Sequence, residues 1–102
     1  MILHCVFMKM PAAASSADVL KLYGAVAALK SFIPGMVDFK AGPNASPEGL
    51  GHGFQHGFVV TFTDAAARDA YLVHPEHVKV GDKIVAAAEG GLDGILVYDF
   101  EV

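Results

Sequence analysis

The sequence predicts an α+β domain in which one four-stranded antiparallel sheet carries helices on a single face. Two observations predict it. Four short apolar segments, at residues 2–10, 36–42, 54–62 and 95–102, read as strands, and helical patterns interleave them in the order β-α-β-β-α-α-β. The strands are also apolar on both alternating sets, whereas the helices suffice to cover one face only.

Each element has a local reason. "ILHCVFMKM" sends Ile2, His4, Val6 and Met8 one way and Leu3, Cys5 and Phe7 the other, the period of a strand. In "SSADVLKLYGAVAALKSFIPG", Ser15 and Asp18 form a capping box. Leu22, Val26, Leu29 and Ile33, flanked by Val19, Tyr23 and Phe32, then recur at helical spacing until Pro34-Gly35 stops the helix. Gly24 in mid-helix costs about 1 kcal/mol against alanine, which predicts close packing there. "MVDFKAG" is a second strand, followed by the turn-rich "GPNASPEGLGHG". "FQHGFVVTF" places Phe54, His56, Phe58, Val60 and Phe62 on one face of a third strand. "TDAAARDAYLV" is a short helix capped by Thr63 or Asp64. Pro75 opens another helix at the position that needs no backbone donor. "GGLDG" turns the chain into the closing strand "ILVYDFEV". The order is that of the ferredoxin-like split βαβ plan.

Composition narrows the partners. At 102 residues the chain, 1–102, fits a single domain, and 54% of it is hydrophobic against 18% charged. That surplus of apolar residues predicts a homodimer, with the bare sheet face of one copy covered by the other. The net charge is −4 and the seven basic residues are scattered, so neither a nucleic acid nor a polybasic membrane contact is expected. No apolar run reaches the length of a membrane span. The first residues read as a strand and not as a signal peptide, because Lys9 follows the apolar run and His4 interrupts it. Cys5 is the single cysteine, set in an apolar strand and followed by apolar residues, which predicts an inert thiol and a cytoplasmic protein.

Three stretches taken together resemble the stress-responsive dimeric α/β-barrel (Dabb) family over essentially the whole chain: "HCVFMKM", "GPNASPEGL", and "AYLVHPEHVKV" with "VYDFEV". The resemblance implies a homodimer whose two sheets form a barrel with an internal cavity for a small apolar molecule, with no specific reaction assigned. Around "YLVHPEHV" the chain is also similar to the olivetolic acid cyclase branch. That similarity implies Tyr71 and His77 as catalytic residues beside a polyketide pocket, with His4, His56, His74 and Asp99 matching in residue type. The "GPNASPEGLGHG" loop follows the general stress-responsive pattern and departs from the cyclase.

The residues support the same candidates on physical grounds. His77 falls in the first turn after Pro75, where the positive end of the helix disfavours imidazolium and leaves a neutral base. Tyr71, on the preceding helix, is placed to hydrogen-bond a carbonyl across the corner, so that the pair would serve an acid–base cyclase or isomerase. The alternative is that His77 packs under its helix and Tyr71 fills the core. His74 suits a helix cap, and Asp99 either orients a histidine or faces water. His4 and His56 are polar anchors of a cavity or hydrogen-bonded core residues. "HPEH" is not a zinc motif, no nucleophilic triad is present, and neither metal nor cofactor is expected.

Overall fold

The structure, a computed structural model, describes residues 1–102. The chain runs β1 (Ile2–Met8), α1 (Ser16–Ala28), a 3-10 turn at Leu29–Ser31, β2 (Met36–Pro43), β3 (His56–Phe62), α2 (Ala65–Val73), α3 (Pro75–Ala87), a second 3-10 turn at Gly91–Gly94, and β4 (Ile95–Glu101). The strands form one antiparallel sheet in the order β2-β3-β1-β4. This is the ferredoxin-like fold that the element order predicts.

The caps explain where the helices begin. Ser15 accepts from the Asp18 amide while the Asp18 carboxylate accepts from the Ser15 amide, both at 3.1 Å. Asp64, rather than Thr63, caps α2 by accepting from the Ala67 amide at 2.8 Å. His74 ends α2 and starts α3, its backbone extended (φ −67°, ψ 133°) as a residue before proline must be.

The helices pack on one face of the sheet. Val6 of β1 lies between Phe58 of β3 and Val97 of β4 in the register. This side buries Ile2, Val6, Met8, Phe58, Val60 and Phe62 against Val19, Tyr23, Val26, Leu29, Tyr71, Val80 and Ile84. The opposite face has no helix. There Leu3, Cys5 and Phe7 pair with Phe100, Tyr98 and Leu96.

Three local expectations change. A bulge between Met36 and Asp38 shifts the β2 register by one residue, which simple alternation does not reveal. The third strand starts at His56, two residues later than its apolar pattern suggests, because Phe54 is held in a turn by a bond from its amide to the Gly51 carbonyl. Gly24 is exposed with open space around it and no close packing. The close approach is at Gly35, where φ is +90° and an added Cβ would sit 2.6 Å from that of Ala67.

Candidate functional site

The α2–α3 corner brings Tyr71 and His77 together, their rings tilted by 43°. Tyr71 is in the last turn of α2 and His77 in the first turn of α3, and the one-residue joint at His74 folds their rings to a centroid distance of 4.2 Å. His77 Nδ1 donates to the Leu72 carbonyl at 3.2 Å, satisfying a carbonyl that the end of α2 leaves free. The carbonyl can only accept, so Nδ1 carries the proton and Nε2 remains an acceptor. Burial is the leading cause that pushes the His77 imidazole below the usual histidine range, with His4 and His74 adding to it and the Leu72 bond opposing. The neutral form expected from its place in the helix is therefore favoured mainly by desolvation.

Tyr71 is 1% exposed and packs on Phe62 (4.9 Å between centroids) and on His4 (5.7 Å). Burial raises its phenol above the ordinary tyrosine range, so it remains a donor at neutral pH. The side-chain hydrogen bonds of the corner run through His4, Arg68, His74, His77 and Asp99, and none engages the Tyr71 hydroxyl. No fully buried side-chain nitrogen or oxygen lacks a partner, so an unbonded hydroxyl must reach open space.

That space is a cavity of about 220 Å³ between the sheet and α3. Tyr71, His77 and His4 line it together with the apolar Val6, Phe58, Val80, Ile84 and Val97. It has room for about seven water molecules at ~30 Å³ each. This cavity lies within one chain, between the helix side of the sheet and α3.

The remaining candidates divide. His4 faces Asp99 directly across the β1–β4 pair, and its Nδ1 lies 2.7 Å from Asp99 Oδ1. Asp99 thus orients a histidine. His74 caps α3, its Nδ1 accepting from the Glu76 amide at 3.1 Å, and its ring lies near Phe32 outside the cavity. His56 shares the helix-side face with His4 but sits at the far end of β3. It lines a separate groove of about 560 Å³ under the 44–55 loop, with His52, Phe54 and Lys40. The two histidines do not meet.

Arg68 escaped the sequence reading, which counted it among scattered cations. It lies three residues before Tyr71, on the same side of α2, and its Nη1 reaches Asp99 Oδ2 at 2.9 Å. The α3 wall was also legible: His77, Val80, Gly81 and Ile84 follow helical spacing, and all four line the cavity.

Fold and site together define a ferredoxin-like protein with a small, largely apolar cavity. The family described as "Stress responsive A/B Barrel Domain" (Dabb) matches residues 2–102, and the chain belongs to it. A dimeric ferredoxin-like protein of unknown function from Jannaschia sp. CCS1 is 37% identical, with a TM-score of 0.90 over 99% of this chain and 98% of that one. An Arabidopsis thaliana protein is 26% identical, with a TM-score of 0.89 over 100% of this chain and 95% of that one. A hydroxynitrile lyase from Passiflora edulis, at 21% identity and a TM-score of 0.85 over 99% and 92% of the two chains, shares the fold. A search of the curated proteins found no match. The likeness to the cyclase branch stays with the residues that suggested it.

Proposed function

We propose that this chain is a homodimer, joined through its open sheet faces, in which each cavity binds a small, mostly apolar carbonyl compound and acts on it by acid–base chemistry. One observation carries the reading. A phenol held protonated and an imidazole with a free Nε2 border the same apolar cavity, their rings 4.2 Å apart. In that arrangement the His77 Nε2 takes a proton from carbon beside the carbonyl. The Tyr71 hydroxyl donates to the oxygen on which negative charge develops. Cyclisation and isomerisation both begin with this step.

The dimer is supported by the apolar open face and by the related structures described as dimeric. No helix is long and apolar enough to cross a membrane.

A thermal-shift screen of small ketones and hydroxy-aromatic carbonyl compounds should find a stabilising ligand, because binding to the folded state alone raises the melting temperature. With that compound as substrate, His77→Ala should abolish turnover while the protein stays folded. Tyr71→Phe should lower kcat by about 10²–10³-fold with a small change in binding, as loss of an oxyanion donor does. If both variants bind the ligand as the parent does and no turnover is seen in any of them, the cavity is a passive binding site.

A further inference from the structure

The ion pairs behind the cavity form a chain that neither Tyr71 nor His77 requires. Arg68 Nε donates to Asp69 Oδ1 at 2.8 Å and Nη1 to Asp99 Oδ2 at 2.9 Å, while Asp99 Oδ1 faces His4 Nδ1 at 2.7 Å. The three side chains descend from 23% exposed at Arg68 through 22% at Asp99 to 6% at His4, whose ring lines the cavity. Both oxygens of Asp99 are therefore occupied, and the carboxylate is fixed in plane by partners on two different elements. Such a carboxylate can only accept, so the short contact places the His4 proton on Nδ1. Nε2 then has no protein partner, and by the same reasoning as for Tyr71 it opens on the cavity.

We propose that Arg68 is a positioning residue for the cavity: by locking Asp99 it fixes the tautomer of His4 and keeps His4 Nε2 turned to the ligand as a second proton acceptor beside His77. Asp99 sits on an edge strand, where without the guanidinium it is free to turn one oxygen to water. Lysine is a poor substitute, because a point charge cannot hold Asp69 and Asp99 with the planar fork of arginine. The proposal rests on the cavity being the ligand site, but the orientation of His4 does not depend on any ligand.

The test is ¹⁵N NMR of the imidazoles in the full chain without ligand. The parent should show His4 held in the Nδ1–H form. Arg68→Leu should shift its tautomer ratio toward Nε2–H by about tenfold, the loss expected when a charge-assisted hydrogen bond is released. The His77 signals should stay in place, since their bond goes to Leu72. Arg68→Lys should recover the parent ratio only in part. If Arg68→Leu does not fold by circular dichroism, Arg68→Gln carries the same expectation. An unchanged His4 ratio in the folded variant, with Asp99→Asn altering it, would show that Asp99 acts alone and overturn the role of Arg68. If neither variant alters the ratio, the whole chain of contacts is ornamental to His4 and the proposal fails. Because the readout uses no ligand, a failed ligand screen would sink the functional reading and leave this result standing.

Discussion

On its helix side the sheet buries Val60 and Phe62 completely, whereas its other side leaves Leu96, Tyr98 and Phe100 at 46%, 62% and 44% exposure. Both sides are built from the same residue types, so hydrophobicity alone does not separate them. The difference lies in what each side also contains. The helix side carries His4 and, across the gap, Tyr71 and His77, three polar groups that line a cavity, with Asp99 held behind His4. The open side is close-packed at one point, where an added Cβ on Gly57 would meet the Phe7 ring at 2.7 Å. Phe7, Gly57, Val59 and Leu96 also floor the groove of about 560 Å³ under the 44–55 loop, which Lys40, His52 and His56 edge. The helix side thus encloses a small cavity within the chain, and the open side leaves its apolar residues and its larger groove uncovered.

The largest test of this contrast is Phe62→Ala. Phe62 is fully buried against Tyr71, so its loss should cost about 3–5 kcal/mol in urea unfolding, with the Tyr71 ring released as a consequence. A cost below ~1 kcal/mol would mean that the helix side is not the true core. Next is Leu96→Lys on the open face. Each protomer should keep its stability to within about 0.5 kcal/mol, since the site is exposed in one chain. The dimer should weaken by roughly 2 kcal/mol or more, about 30-fold, because a charge must be desolvated at its interface. Sedimentation velocity at low micromolar concentration would read this directly, and a parent chain that sediments as a monomer would end the comparison.

Two smaller effects sharpen the cavity side. Gly81 lines the cavity from the middle of α3, and nothing lies within 4 Å of where its Cβ would stand. Gly81→Ala should therefore raise stability by up to about 1 kcal/mol through helix propensity while trimming the cavity and weakening whatever ligand the screen finds. The smallest effect is a pH dependence. The folded chain holds His77 below its ordinary value of 6.5, so the unfolded chain takes up the proton first as pH falls. The stability contributed by neutral His77 is complete above that value and is lost as pH drops through the folded one. His77→Gln should flatten this part of the melting-temperature profile below pH 6.5, and a profile identical to the parent's would refute the burial argument.

How far the sequence reaches follows the same division. Period-two alternation in β1 and β3, the Ser15–Asp18 box and Pro75 are local signals, and each element they predict is present. The joint at His74 was legible for the same reason: a residue before proline cannot continue a helix. What alternation lacks is a reference for which set faces the helices. It groups His4 with His56 on one face, yet His56 pairs with Met8, four residues along β1 from His4, and that separation puts the two in different cavities. Gly24 misled because propensity treats a helical glycine as a packing device, and here its face is open. Arg68 was invisible because its partner lies 31 residues away on an edge strand.

The one-residue joint has a consequence for insertion and deletion. His74 closes one helix and opens the next, so no spare residue exists between Tyr71 and His77. Each residue added to the start of α3 before His77 would rotate it by about 100° around the helix axis, and a single insertion is enough to carry its imidazole off the cavity. The 44–55 segment, a loop at the opposite end of the chain's central hairpin, lies outside that cavity and faces no such rule. The spacing from Tyr71 to His77 thus behaves as a fixed length, and related chains that gain or lose residues there should no longer bring the two rings together.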